Sequence, residues 1–334
     1  MKITKIAIIR LGALGDIIIC ASFLAHFKRS FEAKFGACEI HFFADSIFAD
    51  ILNEFDFIKL HKIPLKAALK NRKLTDLAHI YKNIRKNYFD IAIDFQGLIK
   101  SSIFTRMLRA KKRIGFDARS ARESLSAIFY TQKISIDYNC HILKRNAALY
   151  LSALNEPDNI SDFIAQSLAH KSFEPTQKNV EKIAQKLAHL KSKKVLFLIE
   201  ASKEIKAYSE ANFIELGLAL ESHANIIILA HKNIKKAKTI AEHLQNPLIL
   251  SELDLLEVIA LVNLSDLVIG GDTGICHLAF FTHSASVTLY SNTNPKRLEL
   301  ISPKNAHLSA FEGSKNINDI TPKDIYNLAL KLLK

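Results

Sequence analysis

The chain is 334 residues long, which favours two domains, and its 49% hydrophobic and 24% charged composition excludes a disordered or fibrous protein. Forty-six Lys and Arg against thirty-three Asp and Glu leave +13, which points to an anionic substrate, a membrane surface or nucleic acid. Four dispersed cysteines, Cys20, Cys38, Cys140 and Cys276, form no C-x-x-C pair, so neither a zinc knuckle nor a disulfide framework is expected and a reducing cytoplasm fits.

The first stretch, MKITKIAIIRLGALGDIIICASFLA, resembles a signal peptide in placing Lys2 and Lys5 before apolar residues. Arg10 and Asp16 interrupt it, which neither an exported segment nor a membrane span tolerates. Periodicity predicts a strand over 5–10, a helix over 16–29 and a strand over 39–43. A helix over 74–86, a strand over 91–95 and a helix over 98–108 follow. The second half repeats the alternation: strands over 194–199, 225–229, 267–270 and 286–290, with helices over 209–221, 234–244, 255–263 and 272–281. Such alternation predicts parallel sheets wrapped by helices. The expected fold class is α/β, with two Rossmann-like domains facing across a cleft. Asn155, Pro157, Asp158 and Pro175 break the apolar pattern between Leu154 and Asn179, and the boundary is set at 165/166.

The charge is uneven. Residues 59–86 hold nine Lys or Arg and one acid, Asp76, and residues 100–122 hold eight and one, Asp117. Together the two windows carry +15, against −2 for the rest of the chain. They are either solvated faces or an anion-binding surface. Zinc-finger spacing, an aromatic RNA-binding run and a basic region leading into heptads are all missing, so no nucleic-acid partner is expected.

In doubly wound sheets, ligands bind beyond the carboxyl ends of the strands, which directs attention to three loops. RLGALGD (10–16) follows the first strand. Asp16 there is either a helix N-cap or a carboxylate placed to take a proton from an acceptor hydroxyl. The loop is not G-x-G-x-x-G, which weakens a nicotinamide oxidoreductase reading. GGDTGICH (270–277) ends a strand and opens a helix, where Asp272, Thr273 and Gly274 make a seat for a diphosphate. His277 shares a helical face with Thr273 and is either a phosphate donor or a core histidine. EASKEIKAY (200–208) supplies Ser202 to hydrogen-bond phosphate and Lys203 or Lys206 to neutralise it.

RLGALGD, FDIAIDFQGLIKSS (89–102), RIGFDARSARESLSAIFY (113–130) and GGDTGICHLA (270–279) occur in the order found in the bacterial lipopolysaccharide heptosyltransferases, and the whole chain resembles that family. RSARESLSAIFY resembles heptosyltransferase I more than II. The resemblance implies a GT-B fold and inverting transfer of L-glycero-D-manno-heptose from ADP-heptose to Kdo of the lipid A core. It implies a location on the cytoplasmic face of the inner membrane, against an anionic surface. By position, Asp16 matches the general base. Ser202 and Lys206 match the phosphate-contacting threonine and lysine, and Asp272, Thr273, Gly274 and His277 match the sugar-nucleotide loop. Lys66, Lys70, Arg119 and Arg122 fall where relatives meet the acidic acceptor. The C-terminal helix is expected to pack back on the N-terminal domain. No D-x-D clamp is present, and no metal or cofactor is expected beyond the donor. Two departures stand out: no acid follows the 225–229 strand until Glu242, where relatives carry a donor-contacting carboxylate, and YSNTNP (290–295) replaces Y-G-P-T-x-P.

Overall fold

A computed structural model describes residues 3–71, 74–201 and 203–334 and divides into two compact units between Ser172 and Phe173, a few residues past the boundary set from sequence. In the first unit, β1 (Thr4–Ile9), β2 (Cys38–Asp45), β3 (Ile58–Ile63), β4 (Tyr88–Asp94), β5 (Arg109–Phe116) and β6 (Gln132–Ile134) pair in parallel in the order β3-β2-β1-β4-β5-β6. In the second, β7 (Lys193–Leu198), β8 (Ala224–Leu229), β9 (Leu248–Leu250), β10 (Leu267–Gly271), β11 (Ser286–Tyr290) and β12 (Asn305–Ser309) pair in parallel in the order β12-β11-β10-β7-β8-β9. Counted from its own first strand, each sheet reads 3-2-1-4-5-6. This is the dinucleotide-fold order, whose switch points here are β1/β4 and β7/β10.

Helices on both faces explain why the central strands are apolar throughout. Ile6–Ile9 of β1 and Val195–Phe197 of β7 are wholly buried. Two strands read from sequence only as parts of the basic windows have a different pattern. β3 is an edge strand, and β6 pairs only with Ile114–Phe116 of β5, so the N-terminal half of β5 is itself an edge. Arg109 and Lys111 are exposed there, and charge masks the strand period. The helix expected over 16–29 is two, Leu14–Ala21 and Leu24–Phe35, broken where the Ser22 hydroxyl donates to the Ile19 carbonyl at 2.9 Å.

Each unit has its own core. Tyr150 of the helix Ile142–Leu154 lies among Phe23, Phe27, Phe95 and Phe163 in the first. The C-terminal helix Pro322–Leu332 places Ile325 and Ala329 in the second unit's core with Phe213, Leu216 and Val287.

Candidate active site

The first unit's switch point brings the loop after β1 against the turn after β4. The Leu11 N–H donates to Gln96 Oε1 at 3.2 Å, and the buried Arg10 donates through Nη1 to the Phe95 carbonyl. Asp16 sits in this loop but is not the N-cap considered from sequence. That position belongs to Ala13, and Asp16 is the third residue of the helix. Its Oδ2 accepts the Ala13 N–H at 3.3 Å and pairs with Arg10 Nη2 at 2.5 Å. The side chain is 36% exposed, and Oδ1 has no partner among the described residues. One oxygen is thus fixed and the other, on a partly exposed side chain, has no partner among the described residues, an arrangement that suits a general base. Arg10 was not singled out from sequence; its position one strand end before the loop is the only signal that marks it.

The two family-like motifs of this unit hold each other. Tyr130 donates to Asp94 Oδ2 at 2.7 Å, and the Gln96 N–H donates to Asp94 Oδ1 at 2.8 Å. Burial pushes the Asp94 carboxyl above its ordinary value, and these hydrogen bonds only partly offset it. Gly115 is required here because a Cβ would lie 2.3 Å from the Tyr130 ring. The loop carrying Arg119 and Arg122 is therefore rigid at its root. Asp117 Oδ1 accepts the Arg119 and Ser120 N–H groups at 3.1 and 2.8 Å, and Arg145 Nη2 donates to the Ser120 carbonyl at 2.7 Å. Both Arg119 and Arg122 are exposed.

Lys66 and Lys70 are exposed on the helix Leu65–Asn71, whose N-terminus is held by Asp45 Oδ2 accepting the Lys66 N–H at 2.8 Å. Lys66 Nζ lies 4.3 Å from the centre of the Phe48 ring. Lys73, which sequence spacing places on the same cationic face, lies outside the described residues. The lysines follow β3 and the arginines follow β5, strands four positions apart in the sheet.

In the second unit, three predicted residues do meet. Asp272 is buried, with Lys206 Nζ paired to Oδ2 and His277 Nε2 3.4 Å from Oδ1. Burial by itself would raise the Asp272 carboxyl, but the hydrogen bond and charge of His277 and the ion pair with Lys206 outweigh it and hold the group well below the usual carboxylate range. Gly271 permits this cluster, since a Cβ there would lie 2.3 Å from the Lys206 carbonyl oxygen. Asp272 does not open the helix: Thr273 is the N-cap of Gly274–Phe281. Thr273 Oγ1 is buried with no oxygen or nitrogen partner among the described residues, and no side chain caps the helix. Helix-opening amides without a side-chain cap, the buried Thr273 hydroxyl and the Lys206 cation beside them make a seat for an anion. Ser202 lies outside the described residues. Lys203 is exposed, so of the two candidate lysines it is Lys206 that joins the cluster.

A carboxylate from the neighbouring strand reaches the loop after β8, where none follows in sequence. Glu200, just past β7, accepts the N–H groups of His231, Lys232 and Asn233 on Oε1 at 2.9, 2.9 and 2.7 Å. Burial alone would raise its carboxyl, but these three donors pull it down. Sequence reading passed over Glu200 because nothing local pairs it with residues 31 to 33 positions away.

The family model for glycosyltransferase family 9 (heptosyltransferase) matches residues 77–324. The chain belongs to this family. A lipopolysaccharide heptosyltransferase 1 from Campylobacter coli is 34% identical over 305 residues, covering 86% of this chain and 84% of that protein. The E. coli heptosyltransferase WaaC solved with ADP superposes with a TM-score of 0.79 at 19% identity, covering 98% of this chain and 100% of that one. The same enzyme solved with ADP-2-deoxy-2-fluoro heptose gives 0.78 at 20% identity, covering 98% and 99%. The fold is GT-B, and the chain is a glycosyltransferase of the lipopolysaccharide heptosyltransferase class. The nicotinamide reading falls away.

Proposed function

We propose that this heptosyltransferase moves L-glycero-D-manno-heptose from ADP-heptose to Kdo of the lipid A inner core, with inversion at the anomeric carbon. The observation that carries the reading is the half-free carboxylate of Asp16, fixed by Arg10 and Ala13 with Oδ1 available. In this reading Oδ1 takes the proton of the acceptor hydroxyl as its oxygen bonds to the anomeric carbon on the face opposite the nucleotide. The bond to the departing diphosphate breaks at the same time, and its electrons leave with ADP. Lys206, Thr273 Oγ1 and the N–H groups that begin at Gly274 receive the new charge, with Asp272 and His277 holding Lys206 in place. Ser202 is assigned to the same phosphates. Lys66, Lys70, Arg119 and Arg122 are assigned to the acidic acceptor, at two stations. The 34% identity to a heptosyltransferase 1 supports the choice of Kdo as acceptor.

The enzyme would work peripherally on the cytoplasmic face of the inner membrane, where such an acceptor lies. Among the described residues no helix is long and apolar enough to cross a membrane. The test is transfer from ADP-heptose to Kdo-lipid A beside an acceptor already bearing one heptose, with the new linkage read by NMR. Transfer to Kdo-lipid A with inverted configuration is expected. Heptose appearing only on the preheptosylated acceptor would replace this reading by that of heptosyltransferase II.

A further inference from the structure

The short 3₁₀ helix Ser124–Phe129 presents an apolar tip that the chemistry above does not use. Leu125 is 64% exposed and Ile128 is 69% exposed, whereas Ser126 and Ala127 face inward. Three residues per turn place positions 125 and 128 one above the other on the same outward face. The helix Ile99–Met107 packs against this element and adds Ile103, 41% exposed. The tip is held out on rigid structure. The Ile99 N–H donates to Glu123 Oε2 at 2.7 Å, the Glu123 N–H donates to the Gly97 carbonyl at 3.2 Å, and Arg113 Nε donates to the Phe129 carbonyl at 3.0 Å.

Exposed cations flank these elements in the chain. Lys100 and Arg106 are exposed on either side of Ile103 in the packed helix, and the exposed Arg119 and Arg122 lie in the loop that leads into the tip. None of these four cations makes an ion pair among the described residues, and the nearby acids Asp117 and Glu123 are turned onto backbone N–H groups. An apolar tip flanked by unneutralised positive charge matches an interface whose outer layer is anionic and whose next layer is hydrocarbon. Two or three side chains are far short of the ~800 Å² that each partner contributes to a stable protein interface.

We propose that Leu125 and Ile128 insert into the acyl boundary of an anionic phospholipid bilayer while Lys100, Arg106, Arg119 and Arg122 engage its headgroups. The proposal rests on the reading that the acceptor is a membrane-borne lipid. Its deciding readout, vesicle partition, uses no sugar donor, so it stands or falls apart from that reading.

Partition of the parent protein is measured into vesicles of phosphatidylethanolamine with phosphatidylglycerol and into neutral phosphatidylcholine vesicles. Leu125→Asp/Ile128→Asp is expected to lower partition into the anionic vesicles about 30-fold or more, with an unchanged melting temperature. Turnover on an acyl-free Kdo acceptor should stay within about 2-fold of the parent. At ~1 M salt the parent should keep residual partition that the variant lacks, because screening removes the headgroup attraction but not the apolar insertion. If the aspartate variant does not fold, Leu125→Ser/Ile128→Ser replaces it, with a loss of about 10-fold expected. Partition of the folded variant equal to the parent's overturns the proposal. So does concentration-dependent self-association of the parent that the variant loses while its vesicle binding is unchanged.

Discussion

Asp16 and Asp272 both lie at the switch points of two sheets of the same topology, Asp16 beyond the first strand of its sheet and Asp272 just past the fourth strand of its own, yet their surroundings are opposite. Asp16 is 36% exposed, with one oxygen held by Arg10 and the Ala13 N–H and the other without a partner. Asp272 is 7% exposed, with one oxygen on Lys206 and the other facing His277. A carboxylate with a free oxygen on an exposed side chain can take up a proton, whereas one closed by a lysine on one side and a histidine on the other in a buried site can only organise charge. Position in the fold brings both to the ligand edge, and partner count divides their roles.

The sharpest way to break this comparison is to remove each charge in turn. Asp272→Asn strands Lys206 and His277 in a buried site and is expected to cost about 3 kcal/mol of stability at neutral pH, read from denaturant midpoints. Because the folded-state pKa of Asp272 is depressed, its contribution is complete above the ordinary carboxylate pKa of about 3.9 and is lost as pH falls toward the folded value. The gap between parent and variant should therefore be constant above about pH 5 and narrow in acid. A gap that widens in acid would contradict the assignment of Asp272 as a structural anion.

Asp16→Asn should do the reverse. Turnover is expected to fall at least ~100-fold, about 2.7 kcal/mol, with thermal stability and ADP affinity nearly unchanged. Near-normal turnover would reduce Asp16 to a helix-end partner of Ala13. Lys206→Ala is intermediate. It leaves Asp272 with His277 alone and removes a charge facing the departing diphosphate, so a loss of about 10-fold in kcat/KM for the donor is expected. Unchanged kinetics at limiting donor would show that Lys206 serves Asp272 only.

The smallest expected effect is at the acceptor stations. Lys66→Glu/Lys70→Glu should raise the acceptor KM by a few-fold, with the donor KM unchanged. Because the lysines are exposed, added salt should imitate the change in the parent within a Debye length of ~8 Å at physiological strength. Because the two stations follow strands four positions apart in the sheet, combining this change with Arg119→Glu should be close to additive. Strong coupling would mean that one acceptor group bridges them.

The loop residues were legible because short-range chemistry marks them: glycines beside Asp16 and Asp272 at predicted strand ends, and a histidine one helical turn after Thr273. Arg10 and Glu200 were not. Each acts through a partner that chain proximity does not announce, such as the Phe95 carbonyl 85 residues beyond Arg10 or the His231 N–H 31 beyond Glu200. β3 and the exposed half of β5 were hidden for another reason. Edge strands are wet on one side and need no continuous apolar run, so their lysines and arginines read only as charge.

By itself the sequence determined the alternation of buried strands with helices, and hence two doubly wound units, because apolar periodicity follows directly from which faces must leave water. It also determined which loops leave the ends of the central strands. Only the tertiary structure decided what those loops do. Parallel pairing places β4 beside β1 and β10 beside β7, and the electrostatics of a carboxylate depend on neighbours that only such pairing supplies. Asp16 keeps an open oxygen because Arg10 and Ala13 approach from one side alone. Asp272 is closed because Gly271 lets the Lys206 backbone come within reach.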